Sequence, residues 1–325
     1  MKSKAVALVV ALLVFGGLAT FAAAAANYPT KPIELLCPYV PGSSMDIMAR
    51  LIAEIAPTYT GQPMAVVNKP GAGGSLAAAE VISAKPDGYK LVTLANMFFA
   101  TTTKIQKVPF DPQDVVPLGN FMEYRLGFMV RADSPWKTLN DVLSYAKKNP
   151  GELKWSHAGR GISLHVIALS IFKKAGVQTI DVPYKGSPEV LTALLGGHVD
   201  AASIAYGPAQ GQLRAGKVRF LTFYSDQRYS DQPGVPSIVE LGFPDAAKLS
   251  TYAAVFTHKN TPENVKEYLM GVSKKIYDDQ RFKKLAEMGG EDPKWGGPDF
   301  VKASIKGAEE VGIPILKEIG LYTGK

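Results

Sequence analysis

Residues 33–56 read IELLCPYVPGSSMDIMARLIAEIA, and this stretch contains the structural unit that recurs along the chain. Its apolar run from Ile33 to Cys37 is typical of a buried strand, and a Pro-Gly-Ser-Ser loop follows it. From Asp46 to Ala56 the apolar residues recur at helical spacing. A strand, a Gly/Ser loop and a helix in this order predict the first half of a parallel βαβ unit.

Similar segments alternate almost to the end of the chain, in two series followed by a helical tail. After residues 33–56, strands are predicted at 64–67, 89–95, 128–130, 153–158, 179–183, 199–204, 218–223 and 252–257. Helices are predicted after Gly74 to about residue 84 and at 139–148, 163–175, 188–195, 262–277, 280–288 and 298–319. We therefore expect an α/β fold with parallel strand pairing and two lobes, the tail packing back on the first lobe.

The composition excludes several classes of protein. A chain of 325 residues with 46% hydrophobic and 20% charged residues is neither disordered nor fibrous. Its single cysteine, Cys37, excludes an intramolecular disulfide framework and a cysteine-rich zinc site. The net charge of +7 is scattered, which suits an anionic partner but is weak evidence for nucleic acid. We predict no nucleic-acid partner.

The first 26 residues, MKSKAVALVVALLVFGGLATFAAAAA, are typical of a secretory signal peptide. Lys2 and Lys4 form the basic start, an apolar stretch follows, and the alanines at 24–26 form a small-residue cleavage site. The alternative is an uncleaved anchor, because residues 5–26 are long enough to span a bilayer. We expect cleavage and a periplasmic protein.

Four Gly- and Ser-rich loops occupy the positions where open α/β sheets bind ligands, at 40–46, 69–75, 156–163 and 183–188. In the first loop, free amides at the helix start favour an anion, while Ser44 and Asp46 could equally serve only as a cap and a dipole partner. The second loop has Leu76 where a dinucleotide-binding motif needs glycine, and it lacks a Walker A sequence. A tight turn is favoured there.

The third and fourth loops add cations to glycines. Arg160 stands between Gly159 and Gly161, and an arginine can hold a carboxylate through two parallel hydrogen bonds. The alternative is a solvated arginine on a turn. Tyr184 and Lys185 follow the next predicted strand, and Ser187 could either cap a helix or donate to a ligand.

The sequence contains no recognisable catalytic centre. It has no Gly-x-Ser-x-Gly elbow, and Cys37 lies inside an apolar strand, where a buried inert thiol is favoured. His157 and His165 have no third ligand nearby in the sequence. We predict no enzyme activity, no cofactor and no metal site.

Taken in order, these loops resemble the periplasmic substrate-binding receptors of the tripartite tricarboxylate transporters, the Bug family. The resemblance covers nearly all of the chain after the leader. Each motif alone is weak, but eight in register are specific. The matching segments are YPTKPI at 28–33, PGSSMD at 41–46, NKPGAGG at 68–74, PDGY at 86–89, PFDP at 109–112, AGRG at 158–161 with His165, VPYKGS at 182–187 and GGHVD at 196–200.

The resemblance implies a type II periplasmic binding-protein fold, in which two α/β lobes joined by crossing strands close on a ligand. Lobe one would comprise residues 27–127 with 250–325, and lobe two residues 128–249. The protein would bind a small organic carboxylate and pass it to the membrane subunits of a tripartite tricarboxylate-type transporter, acting as a monomer. The family's carboxylate-binding positions correspond here to Gly42, Ser43 and Ser44 in lobe one and to Ala158, Gly159, Gly161 and Ser163 in lobe two.

Two departures from the family pattern bear on specificity. Many members carry Asp-Asn where this chain has Ile204 and Ala205, and Ser-Gly where it has Asn96 and Met97. With Tyr39, Tyr184 and Tyr206, these residues indicate a cavity with an apolar wall. We therefore expect a carboxylate with an aromatic or aliphatic body. To the candidate site we add Tyr39, Asn96, Met97, Arg160, Tyr184, Lys185, Ile204 and Ala205.

Two other functions stay open from the sequence. The receptor could present its ligand to a membrane sensor kinase instead of a transporter, and, less favoured, the chain could be an exported enzyme.

Overall fold

The computed structural model describes residues 28–324, so the predicted leader lies outside the described residues. The strands are β1 (Ile33–Cys37), β2 (Met64–Asn68), β3 (Lys90–Ala95), β4 (Val115–Tyr124), β5 (Leu126–Arg131), β6 (Lys154–His157), β7 (Ile180–Pro183), β8 (Ala201–Ala205), β9 (Val218–Phe223), β10 (Thr251–His258) and β11 (Asp292–Gly296). The longer helices are α1 (Ser44–Thr60), α2 (Ser75–Ser83), α3 (Leu139–Lys148), α4 (Ser163–Lys174), α5 (Ser187–Leu195), α6 (Tyr206–Arg214), α7 (Glu263–Asp278), α8 (Gln280–Met288) and α9 (Pro298–Glu318). Short helical turns lie at Ala72–Gly74, Phe98–Thr102, Thr103–Ile105, Pro112–Asp114 and Pro244–Ala247.

The strands form two separate sheets, one in each lobe. The first has the order β11-β4-β10-β3-β1-β2, and the second has the order β7-β6-β8-β5-β9. The chain passes from the first sheet to the second at Arg125, between β4 and β5, and returns through residues 224–250. Two crossings between two sheets allow the lobes to move as units about a hinge.

The predicted parallel pairing is right for only part of each sheet. Strand β1 pairs in parallel with β2 and β3, and β6 pairs in parallel with β7 and β8. However, β10 is antiparallel to β3 and β4, and β5 is antiparallel to β8 and β9. These antiparallel strands lie at or next to the crossings, where the chain enters a sheet from the other lobe and not through a helix of the same sheet.

Three elements have no strong signal in the sequence. Strand β4 contains Pro117, Gly119 and Asn120, residues that strands usually avoid, and β11 is short and polar. Helix α6 reads YGPAQGQLR, with two glycines and a proline. All three depend on tertiary packing more than on local propensity.

Helix α1 shows how the sequence positions one edge of the cleft. Ser43 Oγ accepts a hydrogen bond from the N–H of Asp46 (3.3 Å) and so caps the helix, which ends at Gly61 in the left-handed conformation. Met48, Ile52 and Ile55 are buried in the lobe-one core. Burial of this face fixes the first turn of α1 at the carboxyl end of β1. In the described part of the chain, no helix has both the length and the hydropathy to cross a bilayer.

Candidate functional site: a cleft between the lobes

A cavity lies between the two lobes. Strand ends, helix starts and loops from both sheets line it, so that a molecule inside would touch both lobes. From the first sheet and its loops it is lined by Pro38, Tyr39, Ser43, Ser44, Met45, Gly73, Leu94, Ala95, Met97, Phe98, Thr102, Tyr124 and Thr251. From the second it is lined by Leu126, Ala158, Ile162, Ser163, Leu164, Gly186, Ser187 and Ala205.

Three helices point their N-termini into this cavity. Within residues 28–324 no acceptor pairs with the backbone N–H of Ser44 and Met45 at the start of α1, of Ser163 and Leu164 at the start of α4, or of Ser187 at the start of α5. Unpaired N–H groups and the positive ends of helix dipoles bind anions. The cavity therefore offers anion donors from both lobes.

Side-chain hydroxyls add to these donors, and Ser44 is the clearest case. Its Oγ is buried and has no hydrogen-bond partner of good geometry in the described chain, while the residue itself lines the cavity. By contrast, Ser43 Oγ is already engaged as the α1 cap. A buried hydroxyl without a partner is unfavourable, so a ligand that pairs with Ser44 would relieve that cost.

Most of the remaining lining is apolar, although Tyr39, Thr102, Tyr124 and Thr251 also carry hydroxyl groups. Met45, Leu94, Met97, Phe98, Leu126, Ile162 and Leu164 all contribute hydrophobic surface. No charged side chain is found among the lining residues of the described structure. An anion here would be held by amides and hydroxyls, and its carbon skeleton would lie against hydrocarbon.

The lobe-one loop is held in place by one buried carboxylate. Asp46 Oδ2 accepts hydrogen bonds from Gly42 N (2.8 Å) and Arg50 Nε (2.9 Å), and its Oδ1 accepts one from Asn68 Nδ2 (2.7 Å). These bonds join the loop before α1 to α1 itself and to the end of β2. Asp46 therefore acts as the scaffold of this loop.

The corresponding loop in lobe two is held by two buried histidines. His165 Nδ1 accepts a hydrogen bond from Gly161 N (3.1 Å), and the ring of His157 bridges the Gly159 carbonyl (2.8 Å) and Asp181 Oδ2 (3.1 Å). Burial lowers the pKa of His165 to about 3, and the charges of His157 and Arg160 add to this effect. The hydrogen bond from His157 is the main cause that lowers the pKa of Asp181.

The two lobes are in direct contact beside the cavity, so this is a closed form. Thr101 Oγ1 and Thr102 Oγ1 of lobe one donate to the Gly161 carbonyl of lobe two (2.6 and 3.2 Å). On the other side, a Cβ placed on Gly186 would lie 2.5 Å from Val40 Cγ2. The lobes meet at glycines because a larger residue would hold them apart.

The chain is similar to one family of known proteins along most of its length. The model of the tripartite tricarboxylate transporter family receptor, TctC, matches residues 48–321. A protein of Cupriavidus necator, described as the UPF0065 protein in the gbd 5′ region, is 38% identical over 260 residues, which cover 79% of this chain and 77% of the relative. The chain belongs to the TctC family.

Solved structures agree with the fold of this receptor. The periplasmic binding protein BugD superimposes with a TM-score of 0.85 at 24% identity, covering 91% of this chain and 99% of BugD. MatC of Rhodopseudomonas palustris, solved with bound malate, has a TM-score of 0.78 at 26% identity, covering 87% of this chain and 99% of MatC. The predicted family and two-lobe fold are confirmed. Receptors of this family are periplasmic, while the leader of this chain stays a prediction.

The receptor's predicted site residues fall into three groups. The first group lines the main cavity: Tyr39, Ser43, Ser44, Met97, Ala158, Ser163 and Ala205. The second group lines a neighbouring pocket, the outer pocket, which shares Pro38, Tyr39, Gly73 and Ala158 with the main cavity: Gly159, Arg160, Tyr184 and Lys185. Arg160 pairs there with Asp181 (3.1 Å) and is half exposed, so it is not placed to hold a ligand in the main cavity.

The third group lies outside both linings, and the structure gives each member another role. The N–H of Gly42 is bonded to Asp46 and that of Gly161 to His165, so neither amide is free for a ligand. Ile204 is fully buried and does not line the cavity. Because successive strand residues face opposite sides of the sheet, it is the neighbouring Ala205 that faces the cavity.

Asn96 is also predicted to contact the ligand, and in the described structure its side chain is hydrogen-bonded within lobe one. Its Nδ2 donates to the carbonyls of Ser250 (3.1 Å) and Ser304 (3.4 Å), and its Oδ1 accepts from Tyr252 N (3.0 Å). Asn96 therefore ties the end of β3 to α9 and to the start of β10. The apolar contact predicted for this segment comes from Met97 and Phe98.

Sequence reasoning missed Asp181, which completes the histidine cluster. One ligand-type atom from each of His157, His165 and Asp181 lies within 4.8 Å of the others, although no third partner was evident from the spacing. Cys37 is buried in β1 as predicted, and burial raises the pKa of its thiol to about 12. The missed partner stands on a different strand, so only the parallel pairing of β6 with β7 could have indicated it.

Proposed function

We propose that this receptor captures a small organic carboxylate with an aliphatic or aromatic body and delivers it to a tripartite tricarboxylate-type membrane transporter. The observation that carries the proposal is the set of unpaired N–H groups at the starts of α1, α4 and α5, which meet in one uncharged, largely apolar cavity. Amides at helix starts pair with carboxylate oxygens, and the surrounding hydrocarbon favours a nonpolar skeleton. MatC, of the same fold, was solved with the carboxylate malate.

Closure supplies the mechanism of capture. A ligand that accepts hydrogen bonds from Ser44 in lobe one and from Ser163 in lobe two contacts both halves only when they are closed. Such a ligand stabilises the closed form over the open form, and the shift equals its difference in affinity for the two. Hydrogen bonds to a charged group contribute roughly 1.5–3 kcal/mol each, so a few of them suffice.

The cavity's lack of charged acceptors favours an apolar acid over a polar one. At the position where Asp-Asn was expected from the family pattern, Ala205 faces the cavity and offers no side-chain acceptor for an amine or a hydroxyl. A ligand such as aspartate or citrate would bury polar groups without partners, at a cost of about 1–3 kcal/mol each.

Calorimetric titration tests this proposal with a panel of acids. We expect adipate or benzoate to bind and citrate and aspartate to bind weakly, while adipamide, which lacks the charge, does not bind. Strong binding of citrate or aspartate without binding of the apolar acids would contradict the proposed specificity. If no acid binds, the proposed function is wrong.

Delivery to a transporter needs a separate experiment. Proteoliposomes that contain tripartite tricarboxylate membrane subunits from the same genome should import the bound acid only when the receptor is added. Import that is independent of the receptor would contradict the assignment of a transporter partner.

A further inference from the structure

Glu291 is a buried acid in the loop between α8 and β11, and it does not line the cavity itself. It is 2% exposed, the same as Asp46. Asp46 accepts several hydrogen bonds, whereas Glu291 has no ion pair in the described chain and its Oε1 has no hydrogen-bond partner. A buried carboxylate without a cation or donors is costly, so burial favours the uncharged form of this group.

The carboxyl group of Glu291 lies between the two lobes. On the lobe-two side it packs on the backbone of Gly207 in the first turn of α6, where an added Cβ would be 2.9 Å from Glu291 Cδ and closer still to Oε1. On the lobe-one side it lies beside Ser44, whose hydroxyl lowers the pKa of Glu291 as a hydrogen-bond partner. In the described chain Ser44 Oγ and Glu291 Oε1 are both buried, and neither has a hydrogen-bond partner of regular geometry.

The surroundings of Glu291 favour its uncharged form. Burial raises its pKa to about 8, and the neighbouring charge of Asp292 acts in the same direction. Arg125 opposes this weakly, since its guanidinium is already bonded to Asp292 (2.7 Å) and to Asp231. Two phenols complete the surroundings: Tyr124 on β4, and Tyr206 on α6, which contacts Gly290 and accepts a hydrogen bond from Gln232.

We propose that Glu291 is a positioning residue for ligand binding: when the closed form holds a ligand, the uncharged carboxyl group of Glu291 donates to Ser44 Oγ, and the Ser44 hydroxyl then directs its own hydrogen into the cavity. This inference rests on the proposed carboxylate-binding function. An ionised Glu291 could only accept, so it would draw the Ser44 hydrogen away from the ligand and place a negative charge behind an anion site.

Proton uptake from solvent on closing is the consequence. When the lobes separate, Gly207 moves away with lobe two, water reaches Glu291, and the carboxyl group ionises near the usual pKa of about 4.3. When the lobes close, Glu291 is buried again and its carboxyl group takes up a proton. Between about pH 4.3 and about pH 8 the closed form therefore binds more protons than the open form. Ligand affinity should therefore fall as pH rises, by up to about tenfold per pH unit, and level off above about pH 8.

Titration calorimetry with adipate, from about pH 6.5 to about pH 8.5, tests the inference in the full-length mature receptor. Both carboxyl groups of adipate are ionised over this range, so the probe does not contribute its own titration. We expect affinity to fall with pH in the wild type and in Glu287→Gln, a matched control on exposed surface four residues away. Glu291→Gln keeps a donor to Ser44 and does not titrate, so its affinity should be independent of pH over this range and at least as high as that of the wild type at about pH 6.5.

The outcomes separate this inference from the proposed function. If adipate binds the wild type and Glu291→Gln with the same pH profile, the role of Glu291 is wrong while carboxylate binding stands. Weak binding by a folded Glu291→Gln at every pH also contradicts the inference. Calorimetry of the wild type in buffers of different ionisation heat gives a second readout, because uptake of close to one proton per adipate near neutral pH is required. If adipate and benzoate both fail to bind, the proposed function fails, and this inference fails with it.

Discussion

In lobe one a carboxylate holds the loop before the cleft helix, and in lobe two a pair of histidines holds the corresponding loop. Asp46 bonds to Gly42 in the first case, and His165 bonds to Gly161 in the second. The plan of strand, glycine loop and helix is the same in both. In each lobe the scaffold occupies a glycine amide of the loop and leaves the first amides of the following helix free for a ligand.

The two scaffolds differ in how they respond to pH. The histidine scaffold works only while His165 is neutral, because its Nδ1 must accept a hydrogen bond. Lobe two should therefore respond to acidification in a way that lobe one does not. The following variants test the shared plan first and then this difference.

The largest loss of ligand affinity is expected from a substitution where the two lobes touch. Gly186 has extended backbone geometry that any residue can adopt, but a side chain there would collide with Val40 of lobe one. Gly186→Val should leave each lobe folded, prevent full closure and weaken ligand binding by roughly a hundredfold or more, equivalent to about 2.7 kcal/mol. Gly234→Val, at a position with no atoms near its Cβ, is the control. Binding at wild-type affinity by Gly186→Val would contradict the assigned closure contact.

The next largest loss of ligand affinity is expected for two serines, one from each side of the cleft. Ser44→Ala and Ser163→Ala each remove a hydroxyl at the start of a cleft helix and should weaken binding by about 10- to 100-fold, since a hydrogen bond to a charged group contributes roughly 1.5–3 kcal/mol. Ser43→Ala instead removes the α1 cap, so it should lower the free energy of unfolding by about 0.5–2 kcal/mol and change affinity less. Isothermal titration and chemical unfolding together separate these outcomes, and equal affinity loss in all three variants would refute the distinction between cap and donor.

A smaller effect concerns the histidine scaffold. The pKa of His165 is lowered to about 3, so the unfolded chain takes up a proton that the folded chain excludes. Stability should be lost as pH falls below about 6.5, by up to about 1.4 kcal/mol per pH unit. His165→Asn offers an acceptor near the position of Nδ1 but does not titrate, so its unfolding free energy should fall less steeply. Urea unfolding at several pH values measures this, with His198→Asn on exposed surface as the control. Parallel pH profiles for wild type and His165→Asn would rule out this role.

The smallest effect is expected for Arg160. It lines the outer pocket and pairs with Asp181, so Arg160→Gln should change ligand affinity by less than about threefold. A loss above about tenfold, measured by the same titration, would show that the guanidinium reaches the ligand.

The sequence predicts the fold well because each strand–loop–helix unit has a local signature. The unit at 33–56 appears as β1 and α1, and both the loop between them and the loop at 158–163 reach the cleft. What the sequence could not predict is which polar group within a loop is free. Gly42 and Gly161 have the expected position, but Asp46 and His165 already bind their amides.

The remaining misses depend on contacts between distant segments. Asp181 meets the histidines only because β6 pairs with β7, and Asn96 is used by Ser250, Tyr252 and Ser304, which follow it by more than 150 residues. Glu291 reaches Ser44 only through the packing of lobe one. None of these pairings leaves a periodic or spacing signal in the sequence.

A crystal structure of the receptor with the tightest-binding acid of the panel is the most direct test of the carboxylate site. We expect a carboxylate in the main cavity, with its oxygens within about 3.2 Å of backbone N–H groups at the starts of α1 and α4 and of Ser44 Oγ. A carboxylate bound instead to Arg160 or Lys185 in the outer pocket, with those amides unpaired, would contradict the assignment.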